Sequence, residues 1–372
     1  MSLLATPFHA RAVEANRCNA WENRRDYTLA QHYGSVAEEA LAARFGAVIA
    51  DLSWQWRASF SGGAVEAFVA RAFTRNGAAL EPGLSLDVLW LNDAGAVRGR
   101  GRLVRLAANR FVLLSPQEDR DWLFSAAALY GVSASDQAAD GILALIGPTA
   151  RKILSAAGIE ADPPPFGLVP LSWRGLDITL SQLGLGYELW CDADSALIVW
   201  DRLTAAGRAF ALLPVGQAAL DILECESGMF ASGRDFTPAR DGFGPQPTPQ
   251  ALGLCSLVDR AHTFNGKRGF LAAGRDTQLS GLLMGAETPF PPQTLTHRGQ
   301  PIGKILSSRY SPALQRMIGF GILSGSWPSG EVEADSQPCR IVGLPFLPIG
   351  LSPQRPDAAE QATEGAGQPR ST

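Results

Sequence analysis

The chain has 372 residues, which is more than one hydrophobic core usually serves, so its length predicts two or three domains. With 46% hydrophobic and 18% charged residues, its composition is that of a soluble globular protein. The formal net charge of −4 argues against nucleic acid and anionic membranes as main partners.

Cysteine and histidine usage indicates a protein of a reducing compartment without a metal site. The five cysteines are widely spaced and form no Cys-x-x-Cys pair, and the four histidines show no ligand spacing. The amino-terminal residues lack the apolar core of a signal peptide. No apolar run approaches the roughly 20 residues of a membrane span. We therefore expect a cytoplasmic protein with no membrane partner and no metal.

The first half of the chain alternates between helical and strand-like patterns. In chain order the predicted elements are a helix at 64–75, strands at 84–92, 96–106 and 110–115, a helix at 119–130 and a strand at 141–147. The helices show apolar residues at helical spacing, and the strands alternate or form short apolar runs. Asp93, Ala94 and Gly95 predict a hairpin turn between the first two strands. This order indicates an α+β unit with an antiparallel sheet.

A second, similar unit follows, and then a β-rich region. Its predicted elements are helices at 148–158, 194–208 and 217–227 and strands at 167–173 and 177–183. After about residue 250, short apolar runs separated by glycine and proline predict a barrel or roll of strands. Residues 353–372 have no apolar period, which predicts a disordered tail.

The helix predicted at 217–227 places one carboxylate on its apolar side. Glu226 lies one turn from Leu223 and two turns from Ala219. An unpaired buried carboxylate costs several kcal/mol, so Glu226 needs a donor partner or a raised pKa. One reading is a structural salt bridge to an arginine. The other is a ligand-facing carboxylate, which can accept the ring N–H and exocyclic amino group of a pterin in parallel.

The same segment carries a family resemblance. Residues 216–228 resemble the pattern G-x-x-A-R-D-x-L-R-L-E-A-G of the glycine-cleavage T-protein family, and Glu226 falls on the folate-binding glutamate of that pattern. Further matches are TPFH at 6–9, AEEALAARFGAVIADLS at 37–53, IGPTARKIL at 146–154, GYELWCDADSALIVWDRL at 186–203, GRDFTP at 233–238, FNGKRGF at 264–270, GQPIGKILSSRYSPALQRMIGFGIL at 299–323 and LPF at 344–346. The matches are individually weak, but their order spans the chain to about residue 350.

The resemblance implies a fold and a cofactor. The fold is the three-domain, cloverleaf-like aminomethyltransferase fold, with two α+β domains that contain antiparallel sheets and a C-terminal β-barrel or jelly-roll-like domain. Tetrahydrofolate occupies a central channel in this family. The implied boundaries are a discontinuous folate-binding domain at 1–51 and 147–250, a second α+β domain at 52–146, and a β-rich domain at 251–352.

The sequence departs from the family pattern at Arg98. Family members carry an active-site aspartate after the hairpin glycines, and the corresponding stretch here, 94–99, reads A-G-A-V-R-G. A guanidinium cannot act as a general base, but it can bind a substrate carboxylate with two parallel hydrogen bonds. The alternative is that Arg98, Arg100 and Arg102 alternate on the exposed face of a strand and keep it soluble.

Three further site residues follow from the resemblance. Tyr27 lies in the aromatic segment 19–34, near the channel mouth in the family, and its hydroxyl is a candidate proton donor. Tyr187 is a candidate to pack against the pterin. Arg260 is a candidate for the folate-binding arginine that precedes the F-I-G motif, with His262 as the other nearby cation. For Tyr187 the alternative is simple core packing; for segment 19–34 it is that Trp21 is a core anchor and that Arg24 and Arg25 face solvent.

Two functions from different classes fit these residues. The first is a tetrahydrofolate-dependent one-carbon transferase, which moves a methyl or methylene group from a small methylated substrate, including an anionic one, to tetrahydrofolate. Glu226 would hold the pterin and Arg98 would orient the substrate. The second is a non-catalytic folate-binding subunit of an oxidative demethylation system, with an oxidoreductase partner. A relict fold that serves only assembly is a third alternative.

Overall fold

A computed structural model describes residues 3–137, 140–240, 246–274, 276–285, 294–325, 327 and 330–347. The α-helices are α1 His9–Ala15, α2 Val36–Phe45, α3 Val65–Ala72, α4 Arg120–Ala128, α5 Ala150–Ala156, α6 Ala196–Gly207, α7 Gln217–Glu226 and α8 Lys267–Ala272. Short 3-10 helices lie at Gly77–Ala79, Arg208–Phe210 and Cys255–Leu257.

The strands of the first half are β1 Trp21–Arg24, β2 Tyr27–Ala30, β3 Val48–Asp51, β4 Trp56–Ser61, β5 Ser85–Leu91, β6 Val97–Ala107, β7 Arg110–Ser115, β8 Ser133–Asp136 and β9 Gly141–Ile146. Those of the second half are β10 Leu168–Trp173, β11 Leu176–Leu183, β12 Gly186–Cys191, β13 Leu213–Pro214, β14 Thr277–Met284, β15 Thr294–His297, β16 Gln300–Ser311, β17 Arg316–Ser324, β18 Gly330–Ala334 and β19 Gln337–Val342.

A six-stranded sheet of order β10-β11-β12-β9-β3-β13 forms the centre of the first α+β unit. Its strands pair antiparallel except for β3 and β13, which run parallel. Helices α5 and α6 bury one face of the sheet, and α2 and α7 bury part of the other. Because helices cover both faces, its central strands are apolar on both sides. The apolar run predicted as a strand at 141–147 is such a strand, β9.

The second α+β unit has a five-stranded sheet of order β5-β6-β7-β4-β8. Helices α3 and α4 cover one face with Phe68, Val69 and Leu123. The opposite face meets the first unit, where Val104 and Val112 pack against Ile142. The two sheets are therefore joined through a shared hydrophobic contact, and neither face of the second sheet is fully open to solvent.

The third unit is a closed barrel of order β14-β17-β16-β15-β18-β19, all paired antiparallel. Closure leaves the barrel without free edges. The tip of the β5–β6 hairpin rests on α8. Gly95 has φ +80°, and a Cβ there would lie 2.1 Å from the backbone nitrogen of Phe270. Glycine is required at this tip both for its conformation and for the close approach.

The α+β class with antiparallel sheets and a C-terminal barrel is confirmed, and every helix predicted above lies within three residues of an observed one. The prediction for residues 353–372 lies outside the described residues. Strands β1, β2, β3, β4, β8 and β13 were absent from the sequence prediction because they are short, two to six residues, and lack a clear apolar pattern. Within the described residues, no helix is long and apolar enough to cross a membrane.

Helix α7 is held at its first turn by a carboxylate of α2. Glu39 is buried and accepts hydrogen bonds from the backbone nitrogens of Tyr33 at 2.7 Å, Gly34 at 3.0 Å and Gly216 at 2.9 Å. Gly216 is the N-cap of α7 and immediately precedes its first residue, Gln217. One side chain therefore fixes the start of the helix that carries Glu226.

We predict that Glu39→Ala lowers the free energy of unfolding by about 3 kcal/mol, because it leaves buried backbone donors without an acceptor. Urea unfolding monitored by circular dichroism measures this loss. Glu38→Ala is the matched control, since Glu38 is the exposed neighbour on the same helix. Equal stability of the two variants would contradict the prediction.

Candidate functional site

Glu226 occupies the last turn of α7, between α2 and the barrel. Its side chain is only 1% exposed, as its position on the apolar side of the helix predicted. Gly228, with φ +70°, ends the helix immediately afterwards, and a Cβ there would lie 3.1 Å from Pro345. The segment predicted at 217–227 thus places one carboxylate at the junction of two units.

Both oxygens of the Glu226 carboxylate have donors. The Arg44 guanidinium donates from Nε to Oε2 at 2.5 Å, and its Nη2 lies at ion-pair distance from the same oxygen. The Ser311 hydroxyl donates to Oε1 at 2.5 Å. A buried carboxylate with an arginine and a hydroxyl partner is compensated in its ionised form. The salt bridge to one arginine, given above as the structural reading, is therefore present.

A cavity of about 260 Å³ adjoins this ion pair. It is bounded by α2, the turn from β9 to α5, the β11–β12 hairpin and the end of α7. The apolar wall comes from Ile146, Leu183, Leu185 and Leu223. The polar lining residues include Arg44, Arg151, Gln182, Tyr187 and Ser227. This volume is slightly below the roughly 300–1,000 Å³ of typical drug-sized ligand sites, so it suits a small ligand.

Tyr187 is the predicted site residue that lines this cavity directly. Its hydroxyl donates to Oδ1 of Asp162 at 3.1 Å. Burial raises the pKa of the Tyr187 phenol, and the Asp162 carboxylate raises this pKa further. Tyr187 is therefore a neutral hydrogen-bond donor at neutral pH, and it also belongs to the hydrophobic core of the first unit.

Arg98 points into the protein. It is 3% exposed, and it donates from Nε and Nη2 to the two oxygens of Asp119 at 2.9 and 2.8 Å. Its guanidinium also lies over the Trp122 ring, 5.2 Å from the centroid. The alternative of an exposed arginine row is therefore wrong, because this sheet face is covered by the rest of the molecule. Arg100 and Arg102 are also directed inward, to the Phe230 carbonyl and to Glu188.

The other two predicted residues lie away from the cavity. Tyr27 is partly buried on β2, opposite Arg24 in a separate two-stranded sheet. Arg260 is exposed, and its guanidinium lies 5.6 Å from the centroid of the Phe270 ring. The structure therefore places Tyr187 on the cavity that Arg44 also lines, whereas Arg98, Tyr27 and Arg260 do not line it.

Sequence reasoning did not find Arg44, Ser311, Arg151 or Asp119. Arg44 and Glu226 are 182 positions apart, and Ser311 is 85 positions from Glu226. No local pattern links such residues. Asp119 is 21 positions from Arg98 and is the first residue of the helix predicted at 119–130, so no local pattern linked it to Arg98. The described residues contain no cluster of three or more potential metal ligands.

Comparisons with known proteins give one consistent result. The family model described as the GCVT N-terminal domain matches residues 7–246. An aminomethyltransferase from Frankia alni is 29% identical over 93% of this chain and 98% of its own length. A 4-methylaminobutanoate oxidase (formaldehyde-forming) from Paenarthrobacter nicotinovorans is 28% identical over 92% of this chain, which spans 46% of that protein.

Among solved structures, the glycine cleavage system aminomethyltransferase T from Bartonella henselae has a similar fold. The TM-score is 0.82 at 23% identity, and the alignment covers 93% of this chain and 98% of that one. This likeness confirms the expected aminomethyltransferase fold.

We predict that Asp119→Leu lowers the free energy of unfolding by about 3–5 kcal/mol, because it leaves the buried Arg98 guanidinium without its carboxylate. The double variant Arg98→Met/Asp119→Leu should recover a large part of that loss, since it removes both charges. Chemical denaturation of the two variants gives the comparison. A double variant no more stable than the single one would show that the ion pair is not the dominant interaction there.

Proposed function

The chain belongs to the glycine-cleavage T-protein family, and on this premise we propose that it transfers a one-carbon group from a small methylated molecule to tetrahydrofolate. The observation that carries the proposal is the buried carboxylate of Glu226, which stands at the folate-binding glutamate of the family pattern and beside a cavity. The similarity to curated aminomethyltransferases over almost the whole chain supports the same reaction class.

The pairing of Glu226 suggests how a pterin binds. Arg44 donates to this carboxylate from Nε, and its Nη2 lies close to the same oxygen without hydrogen-bond geometry. A pterin offers a planar pair of donors, a ring N–H and an exocyclic amino group, that can serve both carboxylate oxygens. We propose that the pterin takes the place of Arg44 on Glu226 while Arg44 turns toward the cavity that it lines. Because one donor group replaces another, the buried carboxylate remains hydrogen-bonded throughout.

The arginine at position 98 limits the reactions that the protein can catalyse. An arginine paired with Asp119 supplies neither a general base nor an uncompensated negative charge, so we do not propose ordinary glycine cleavage. The predicted role of Arg98 in holding a substrate carboxylate would require it to release Asp119. We propose instead that catalysis comes mainly from holding the donor carbon close to the folate nitrogen.

Substitutions at Glu226 and Arg44 should affect folate binding differently. Glu226→Gln is expected to weaken tetrahydrofolate binding by about 1.5–3 kcal/mol, through loss of charge-assisted hydrogen bonds. Arg44→Gln should keep or strengthen binding, because it removes the competing donor. Titration calorimetry with tetrahydrofolate under reducing conditions measures both affinities.

Glu38→Gln, an exposed change on α2, serves as the matched control, and circular dichroism verifies that every variant is folded. If Glu226 forms only a structural bridge, the Arg44 and Glu226 variants will weaken tetrahydrofolate binding to a similar extent. That result would remove Glu226 from the folate site.

A second candidate is a folate-binding subunit without transferase activity of its own, paired with an oxidoreductase. The observation that favours it is the enclosure of Arg98 by Asp119 and Trp122 at the place of the family aspartate. It is also supported by the similarity to part of a formaldehyde-forming oxidase. In such a system folate would trap the one-carbon unit that the oxidoreductase releases.

A screen of methylated amines, betaines and thioethers distinguishes the two candidates. The transferase should form methyl-tetrahydrofolate and the demethylated donor from at least one of these molecules without any other protein. If the chain binds tetrahydrofolate but converts no donor, while it accelerates formation of methylene-tetrahydrofolate from formaldehyde released by an added oxidase, the second candidate is correct.

A further inference from the structure

We propose that the 260 Å³ cavity beside Glu226 is a binding site for a small carboxylate with an apolar body, held by Arg44 and Arg151. The assignment of this cavity to the methyl donor rests on the proposed function. It names the substrate class of that function as a monocarboxylate about the size of benzoate. As a binding site it can be tested without folate.

Arg44 has a donor left for such a ligand. Its Nε and Nη2 face Glu226, whereas Nη1 makes no hydrogen bond within the part of the chain that the structure describes. The side chain is 9% exposed and forms part of the cavity wall. In the absence of folate, a ligand carboxylate would therefore meet a guanidinium group that its ion pair with Glu226 holds in position; when a pterin occupies Glu226, Arg44 would be free to turn toward the same ligand.

Arg151 supplies the second cation. Its guanidinium donates to three backbone carbonyls, those of Ile159 at 3.0 Å, Ala161 at 3.3 Å and Glu160 at 2.9 Å. These neutral acceptors orient the group but do not neutralise its charge. The carboxylates of Glu160 and Asp162 lie 3.8 and 3.9 Å away, and both are mostly exposed to water, which weakens their effect. Arg151 is thus a preorganised site for an anion.

The remaining walls of the cavity favour a ligand with an apolar body. Leu183, Leu185 and Leu223 line the cavity with aliphatic surface, and the Tyr187 ring adds an aromatic side. A carboxylate with no apolar part would leave these surfaces unfilled. The combination of two guanidinium groups with an apolar wall therefore fits a small aromatic or branched monocarboxylate.

This assignment also provides a binding site for an anionic methyl donor. Arg98, the residue predicted from the sequence for that role, has both Nε and Nη2 engaged by Asp119. The cavity instead borders Arg44, which is in contact with Glu226. A donor bound there lies next to the carboxylate proposed to hold the pterin.

The test is titration of the full chain with benzoate and with benzamide, its neutral counterpart, by calorimetry and ligand-observed NMR. Benzoate should bind, and benzamide should bind at least about tenfold more weakly, since it cannot form charge-assisted hydrogen bonds to guanidinium groups. Arg151→Gln should weaken benzoate binding by a similar factor. Arg208→Gln, an exposed arginine that does not line the cavity, should leave it unchanged.

The double variant Arg44→Gln/Glu226→Gln tests the role of Arg44 without leaving a buried charge unpaired. It too should weaken benzoate binding, and circular dichroism shows whether it is folded. The proposal is overturned if benzoate does not bind, if benzamide binds equally well, or if folded Arg151→Gln binds benzoate as the parent does. If the protein binds benzoate but not tetrahydrofolate, the proposed function is wrong and the carboxylate site stands. If it binds tetrahydrofolate but not benzoate, the carboxylate site is wrong and the proposed function stands.

Discussion

The carboxylate of Glu226 is the point at which the parts of this molecule meet. It belongs to α7 and is held by Arg44 of α2 and by Ser311 at the end of β16 in the barrel. The backbone carbonyl of the same residue accepts from Leu347, after the last strand. Because a buried charge must keep its partners, these contacts fix the barrel relative to the first unit. The cavity beside them is lined by residues of the first unit.

Arginine side chains dominate the polar contacts between the units. Arg234 pairs with Asp221 on α7 and with Asp235, and Asp235 also accepts from Arg309 of the barrel. Burial opposes ionisation of Asp235, but Arg234 and Arg309 outweigh it and lower the pKa of this carboxyl. The planar donor fork of arginine suits such shared carboxylates. The interior between the units is therefore an ion-pair network, and an added anion or cation must displace an existing partner.

The pairing of buried charges explains why arginine, in place of the family aspartate, matters at position 98. An aspartate there would present a negative charge, whereas Arg98 and Asp119 together form a compensated pair beneath Trp122. The cavity beside Arg44 differs because one donor of Arg44 is unused and Arg151 is held only by carbonyls at hydrogen-bond distance. We therefore expect anion binding at arginines that lack a full set of carboxylate partners, rather than where arginines are most numerous.

Local patterns in the sequence were enough to predict the α+β units, the C-terminal barrel, the hairpin at 93–95 and the burial of Glu226. Each depends on spacing along a few turns or strands, and such spacing specifies which side of an element is apolar. The partners of Glu226 and the inward direction of Arg98 could not be predicted in the same way. Strand alternation separates two faces but does not tell which face another unit will cover. Arg44 lies 182 positions from Glu226, so their contact exists only because packing of α2 against α7 brings them together.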